Sequence, residues 1–278
     1  MKKSGKVITL KESEYICGVI AAEMPVQYDV EAIKAQAVAC YTYAFTKRQN
    51  ERMNPDISLK GADITDSPET HQGYIGPEQS KEKWGVHYDE NRKKVEEAVK
   101  DVLGQLIIYD GKPILAAYHC ISSGMTESAE IIWNEKIPYL KSVKSVGDMI
   151  SPEYKTIVSI PEKEFSKIIH EETEIKLGDD PNKCIGDVKI TEAGTVLEMK
   201  VGSEILSGLT IRKLFNLRSP CFTVKYENET FDFTVKGYGH GVGMSQYGAD
   251  YMARQGKDYV DILKHYYSGI DIVLKQDI

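Results

Sequence analysis

The sequence predicts an α+β fold with mixed and antiparallel sheets, an N-terminal helical hairpin and an inserted middle lobe at about residues 145–208. Three observations support it: apolar residues recur at helical spacing near the N-terminus, short turns join strand pairs, and hairpins outnumber strand–helix–strand units. With 278 residues the chain is long enough for one large domain or two closely associated ones, and we expect a single domain over 1–278 that carries the lobe.

The helical hairpin occupies the first fifth of the chain. Apolar residues from Glu12 to Met24 follow the helical period, and Pro25 disfavours helix at the residue before it. Asp29 is a good N-cap for a second, alanine-rich helix. The small side chains predict a close approach of the two helices.

The central region alternates between loop, helix and hairpin. Residues 54–88 show no clear period and predict loop with short strands, whereas 91–103 form an amphipathic pattern closed by Gly104. Residues 105–118 read as a hairpin around an Asp110-Gly111 turn.

The last third continues the pattern with further hairpins and two terminal helices. The predicted elements are a helix near 161–170, strands at 187–190 and 196–201 around Gly194, a short helix capped by Thr210, strands at 221–226 and 231–236, and helices near 244–254 and 259–266.

Composition excludes some classes of protein. Apolar residues make up 41% and charged residues 28%, as in an ordinary globular protein. The net charge of −7 argues against a nucleic-acid partner, which needs a basic surface. The sequence has no run of eighteen apolar residues, and its basic start has no apolar segment behind it, so neither a membrane span nor a secretory signal is predicted.

The most distinctive segment is a glycine-rich run near the C-terminus. Residues 237–249 read GYGHGVGMSQYGA, with four glycines at alternate positions. Such spacing suits neither helix nor strand and lets the backbone pass close to another group, with side chains projecting between the glycines. The run lacks the ending and the register of phosphate-binding loops. We interpret it as a functional site; the alternative is a tight turn before a helix.

This run resembles the G-H-G-V-G-M-S-Q-Y-G-A motif of the stage II sporulation protein D family (SpoIID, including the amidase-enhancer LytB branch). Residues 14–25, EYICGVIAAEMP, resemble the family's E-Y-L-x-G-V-V-A-x-E-M-P, and 32–39, AIKAQAVA, follow in the expected place. Residues 66–76 and 117–124 also resemble family segments. The resemblance implies a lytic transglycosylase that cleaves peptidoglycan glycan strands already stripped of their stem peptides.

Glu23 is the predicted catalytic residue, and its position supports this independently of the family. It falls on the apolar stripe of the first helix, at i+7 from Ile16, and in the last turn, where the helix dipole disfavours an anion. Both effects raise the pKa of a carboxyl group, and protonation of a glycosidic oxygen needs a carboxylic acid that keeps its proton. The alternative is a glutamate at the helix edge or paired with a lysine.

A single carboxylate suffices for this chemistry. Hydrolytic glycosidases use two, whereas in a lytic transglycosylase the C6 hydroxyl of the muramic acid ring is the nucleophile. One group can then donate a proton to the leaving oxygen and accept one from that hydroxyl. Asp63, Asp66 and Glu127 remain candidates for a second acid.

His240, Ser245, Gln246 and Tyr247 are the predicted substrate-binding residues, because their donors suit N-acetyl and hydroxyl groups. For His240 a structural hydrogen bond that fixes the loop is an equal alternative.

The resemblance also raises the question of a metal. Relatives often show Cys-Gln-x-Tyr where this chain has His71, and a second cysteine in the segment of Cys120 and Ser123. Here histidine replaces part of the cysteine pair that could form a disulfide in relatives. This exchange suggests one structural zinc ion held by His71, His119 and Cys120, although their spacing is no recognised zinc pattern. A buried cysteine that acts as a small core residue is the alternative, and otherwise no cofactor is expected.

The chain has five cysteines, an odd number for a protein placed outside the cytoplasm, and four of them remain besides Cys120. Because Cys17 and Cys40 lie among apolar residues, we expect both to be core residues. Cys184 and Cys221 are either free or paired. The arginine of the family's Ala-Arg-Thr-Tyr is missing here, since residues 40–43 read CYTY.

The resemblance implies a role in engulfment during sporulation of an endospore-forming bacterium. It further implies an anchor in the mother-cell membrane that precedes this sequence, an extracytoplasmic location at the engulfing septum, and a machine with a SpoIIP-type amidase and the membrane protein SpoIIM. Two other functions stay open: a non-catalytic wall-binding enhancer of an N-acetylmuramoyl-L-alanine amidase, and a zinc hydrolase that uses His119 and Cys120.

Overall fold

The computed structural model describes residues 5–67, 70–178 and 180–277. Helices and antiparallel sheets together confirm the predicted α+β class. The chain forms two compact units: Met1–Tyr118 with Ala249–Ile278, and His119–Gly248. The predicted lobe at about 145–208 lies within the second unit. Most of the basic start, residues 1–4, lies outside the described residues.

The first unit is built on the predicted helical hairpin. Helix α1 spans Glu12–Glu23 and helix α2 spans Val30–Met53. As expected, Asp29 caps α2: its carboxylate accepts the Glu31 N–H at 2.9 Å. The other helices of this part are α3 (Pro77–Trp84), α4 (Tyr88–Val102), α8 (Gln246–Arg254), which returns the chain from the second unit, and α9 (Tyr259–Tyr266).

A three-stranded antiparallel sheet completes the first unit. Its strands are β1 (Gln105–Tyr109), β2 (Lys112–Pro113) and β11 (Asp271–Leu274), in the order β11-β1-β2. Asp110 and Gly111 have φ angles of +50° and +71°, which confirms the predicted two-residue turn. The second strand ends at Pro113 and not at residue 118, because proline has no N–H for the ladder.

The prediction of short strands within residues 54–88 is wrong. This segment holds helix α3, which begins with proline at its first position after Gly76. The Gln79 side chain accepts the Gly76 N–H at 3.1 Å and so caps the helix. Pro77 and Gln79 are start signals of a helix too short to show a clear apolar period.

The second unit combines three small sheets with short helices. One sheet has the order β4-β9-β8, another β5-β6-β7, and β3 pairs with β10. Their bounds are β3 (Tyr118–His119), β4 (Lys155–Pro161), β5 (Ile185–Ile190), β6 (Val196–Val201), β7 (Glu204–Leu206), β8 (Phe222–Glu227), β9 (Thr230–Lys236) and β10 (Met244–Ser245). The helices are α5 (Ala129–Trp133), α6 (Glu162–Thr173) and α7 (Gly208–Leu214).

Stacked phenylalanines form the core of the second unit. The Phe165 ring of α6 lies 4.0 Å from Phe231 and 5.0 Å from Phe215, measured between ring centroids. The predicted hairpins at 187–201 and 221–236 are confirmed. The predicted cap at Thr210 is wrong: Ser207 caps α7, because its hydroxyl accepts the Thr210 N–H at 3.0 Å.

None of the helices within the described ranges has both the length and the apolar character that crossing a bilayer requires.

Candidate active site

Glu23 lies at the end of α1, on the stripe that the sequence predicts. Ile16, Val19 and Ile20 on the same stripe are at most 1% exposed, and Glu23 itself is half-buried. The helix ends there because Met24 takes an extended conformation, φ −125°, before Pro25. The carboxylate therefore projects from the last turn of a helix whose other stripe residues are core.

One hydrogen bond and one nearby cation act on the Glu23 carboxylate. The Gly73 N–H donates to its Oε1 at 2.5 Å, and the ammonium of Lys83 acts on it electrostatically. Burial raises the pKa of Glu23, and these two groups partly oppose the rise without reversing it. The upward direction confirms the expectation from burial, while Lys83 is a neighbour that the sequence did not reveal.

A chain of hydrogen-bonded side chains in the first unit lies within the electrostatic influence of this carboxylate. The Tyr15 hydroxyl donates to Gln72 Oε1 at 3.2 Å, and Gln72 Nε2 donates to the Tyr118 hydroxyl at 3.2 Å. Burial raises the pKa of both phenols, and the negative charge of Glu23 adds to the rise. Tyr15 and Tyr118 thus stay protonated and keep these hydrogen bonds. Sequence reasoning missed all three residues, although Tyr15 and Gln72 fall inside motifs that resemble the family.

A glycine lets the Gly73 segment lie directly on α1. A Cβ on Gly18 would stand 2.2 Å from Cε2 of Tyr74 and 2.7 Å from the Ile75 carbonyl oxygen. The Ile75 N–H donates to the Gly18 carbonyl at 3.2 Å, so the segment is fixed where the glycine leaves room. The amide that holds Glu23 is only two residues away from this contact.

The three candidate second acids have other environments. Arg52 pairs with exposed Asp63 at 3.4 Å, and Asp66 lines a surface cavity of the first unit. Glu127, in the second unit, is 5% exposed, and its oxygens accept hydrogen bonds from the Ser128 N–H at 3.0 Å and the Thr191 hydroxyl at 2.6 Å. Asp63 and Glu127 are thus committed to structural partners.

The glycine-rich run is a loop of the second unit, and its four alternate glycines take left-handed backbone conformations. Gly237, Gly239, Gly241 and Gly243 have φ angles of +78°, +117°, +80° and +74°, which only glycine adopts readily. A Cβ on Gly239 would meet the Cβ of His119 at 2.7 Å, so the run also makes a close approach.

The sequence left two roles open for His240, substrate binding or a hydrogen bond that fixes the loop, and the structure contains such a hydrogen bond. The Nδ1 atom of His240 accepts the Val242 N–H at 3.1 Å. Its half-exposed ring lies between Trp133, at 5.4 Å, and His119, at 5.7 Å between ring centroids. Trp133 is a further exposed aromatic residue that sequence reasoning missed.

Ser245 and Gln246 are buried, at 0% and 2% exposure. The Ser245 hydroxyl donates to Asp148 at 2.7 Å and accepts the Gly248 N–H at 3.2 Å, which ties the loop to its own unit. Burial raises the pKa of Asp148, against the hydrogen bonds it receives. Tyr247 is half-exposed, and its N–H donates to the Cys120 carbonyl at 3.0 Å. Of the predicted substrate ligands, His240 and Tyr247 retain exposed surface.

The predicted zinc ligands do not form a site. Among the residues that the structure describes, no group of three or more histidine, cysteine, aspartate and glutamate side chains is arranged to hold a metal ion. His71 belongs to the first unit, while His119 and Cys120 belong to the second. The donor set therefore does not fit a structural zinc ion, which needs about four ligands.

His119 is a buried neutral histidine. Its Nδ1 lies 3.1 Å from the Val242 carbonyl and its Nε2 has no partner in the described part of the chain. Burial, with the nearby His240, lowers the pKa of His119 to about 3. As predicted, Cys40 is core; Cys17 is half-buried, and Cys184 and Cys221 are not joined to each other.

Comparisons with known proteins fix the family. A family model described as stage II sporulation protein matches residues 1–109. Stage II sporulation protein D of Bacillus amyloliquefaciens is 41% identical over 260 residues, which cover 93% of this chain and 73% of that protein. The chain belongs to the stage II sporulation protein D family. The Bacillus subtilis (strain 168) member is 36% identical over the same shares of both chains.

This chain is also similar to a protein named an amidase enhancer. The amidase enhancer of Bacillus subtilis (strain 168) is 28% identical over 301 residues, which cover 91% of this chain and 39% of that protein. Its greater length leaves most of the enhancer outside the match.

We predict that Gly18→Ala disturbs the Glu23 centre from a distance. The added methyl group meets the Tyr74 ring and the Ile75 carbonyl, so the segment that carries the Gly73 amide must shift. We expect a loss of about 1–3 kcal/mol in unfolding free energy, measured by urea denaturation. Gly76→Ala is the matched control, because its Cβ meets nothing closer than 4.0 Å. Equal losses in both variants would argue against the close approach.

We predict a pH dependence of stability from His119. Between pH 6.5 and 3 the His119 ring is protonated in the unfolded chain but neutral in the folded protein. The free energy of unfolding therefore decreases as the pH falls through this window. From pH 6 to 5 the wild type should lose about 1 kcal/mol more than His119→Asn. The control is His87→Asn, whose ring is 72% exposed and should leave the slope unchanged. Parallel slopes for His119→Asn and the wild type would contradict a buried neutral ring.

Proposed function

We propose that this protein is a peptidoglycan lytic transglycosylase that cleaves denuded glycan strands between N-acetylmuramic acid and N-acetylglucosamine during engulfment. The observation that carries the proposal is Glu23, a half-buried carboxyl group with a raised pKa at the end of a core helix. Membership of the sporulation family supplies the biological setting.

The chemistry follows from the two states of this carboxyl group. Burial favours the protonated acid, which donates its proton to the glycosidic oxygen while the bond from that oxygen to C1 of muramic acid breaks. The C6 hydroxyl oxygen of the same ring forms a new bond to C1, and its proton passes to the Glu23 carboxylate. The product ends in 1,6-anhydro-N-acetylmuramic acid, and the enzyme regains its starting state.

The environment of Glu23 supports a one-carboxylate mechanism. The Gly73 N–H stabilises the carboxylate that exists between the two proton transfers. Glu127 is buried and accepts hydrogen bonds from Thr191 and Ser128, which argues against it as a second acid. Hydrolysis with an activated water normally needs that second group.

The family also suggests where the enzyme acts and with what. We place it outside the cytoplasm at the engulfing septum, anchored to the mother-cell membrane, with a SpoIIP-type amidase that strips the stem peptides and a SpoIIM-type membrane protein. These proposals rest on the family resemblance.

A second candidate is a non-catalytic enhancer of an amidase. The relative that is named an amidase enhancer favours it. The zinc hydrolase is not proposed, because the described residues supply no ligand group for the metal.

Product analysis separates these functions. The purified protein is incubated with denuded and with peptide-bearing strands, and mass spectrometry identifies the new ends. Anhydro ends from denuded strands support the transglycosylase, whereas reducing ends indicate a hydrolase. Intact strands, together with faster peptide release when an amidase is added, indicate the enhancer.

We predict that Glu23→Gln abolishes formation of anhydro ends while the protein stays folded. Glutamine keeps the shape of the side chain but has no proton to donate, which removes a step worth about 10²–10⁴-fold or more. Wild-type activity should also fall as the pH rises through the raised pKa of Glu23, because the acid form is then lost.

Glu82→Gln is the control, since Glu82 is exposed on α3 and should be fully active. Circular dichroism checks the fold. A folded Glu23→Gln protein that releases anhydro ends at the wild-type rate would refute the assignment.

A further inference from the structure

Lys83 reaches the end of α1 from another helix. It stands near the C-terminus of α3, and its Nζ donates to the carbonyl oxygens of Ala21, at 2.7 Å, and Ala22, at 3.3 Å. These are the two residues immediately before Glu23. The ammonium is therefore fixed at the backbone that carries the proposed proton donor.

This contact replaces a cap that α1 lacks. The last turn of α1 contains no basic residue, although its terminal carbonyls carry the negative end of the helix dipole. Lys83 supplies donors to two of those carbonyls and a positive charge beside them. Through it α3 holds the end of α1 in place.

The Gly73 amide donates to the Glu23 carboxylate, and in the described part of the chain the groups besides Lys83 whose pKa the Glu23 charge raises are uncharged. They lie on α1, on α2 and at the start of β3. They are the hydroxyls of Tyr15, Tyr43 and Tyr118 and the thiol of Cys40. Lys83 is the cation that lowers the pKa of Glu23.

We propose that Lys83 is a positioning residue for Glu23, which fixes the end of α1 and stabilises the carboxylate that Glu23 becomes when it gives up its proton; this rests on the proposed function. When the proton moves to the glycosidic oxygen, negative charge develops on Glu23 within the electrostatic reach of a cation that the two preceding residues already hold. Burial keeps the proton on Glu23 before the reaction, and Lys83 favours its release during the reaction. Because the carbonyls of Ala21 and Ala22 occupy two of its three donors, Lys83 is held for this electrostatic role.

The test compares Lys83→Met with Lys83→Arg and with Lys81→Met, a change to an exposed lysine of the same helix. The first measurement is the titration of the Glu23 carboxyl carbon by NMR. In Lys83→Met its midpoint should rise by about one pH unit, because the cation is lost. Lys83→Arg, which keeps the charge, should stay within half of that shift, and Lys81→Met should match the wild type.

The second measurement is the rate of anhydro-end formation against pH. In Lys83→Met we expect kcat to fall about tenfold with little change in KM, and the basic limb of the profile to move upward with the titration midpoint. Lys83→Arg should recover most of both. If Lys83→Met unfolds, Lys83→Gln provides the same comparison.

An unchanged titration midpoint in Lys83→Met, or an equal shift in Lys81→Met, would overturn the assignment. So would a shifted midpoint with wild-type kcat and an unmoved pH profile. Failure of the proposed function gives a different result: the wild type then forms no anhydro ends, while the NMR titrations still report whether Lys83 controls Glu23.

Discussion

The site depends on the balance that holds the Glu23 carboxyl group between its two protonation states. Burial beside a core helix favours the acid, and the Gly73 amide and Lys83 ammonium favour the carboxylate. Neither influence alone suits a group that, in the proposed reaction, donates a proton and takes one back. A fully apolar pocket would trap the acid, and a fully paired carboxylate would never carry a proton near neutral pH.

Each contribution to that balance comes from a different part of the first unit. The stripe of α1 buries the side chain, the segment around Gly73 brings the amide, and α3 brings the ammonium. Gly18 lets the second of these lie against the first. The centre is thus a product of tertiary packing as well as of one motif.

The sequence predicted those parts of the fold and site that local patterns encode. Helical spacing located α1 and Glu23, Asp29 marked the start of α2, and alternate glycines predicted the close backbone approach that the loop makes at Gly239. Contacts between distant segments were not encoded in this way. Lys83 lies in a short helix whose start signals, Pro77 and Gln79, are local, whereas its reach to Ala21 joins residues 62 positions apart and could not be predicted from either segment. The alternative interpretation of Glu23 paired it with a lysine. Lys83 does lower the pKa of Glu23, but burial has the larger effect and the pKa remains raised.

The order of the chain has a consequence for synthesis. The second unit is one continuous stretch, whereas the first is assembled from both sides of it. Strand β1 pairs with β11, and their partner residues Leu106 and Val273 are 167 positions apart in the sequence. On a ribosome the inserted unit is complete before β11 emerges, so it can fold while the Glu23 unit still lacks an outer strand. The unit that carries Glu23 therefore becomes complete only after the second unit has been made.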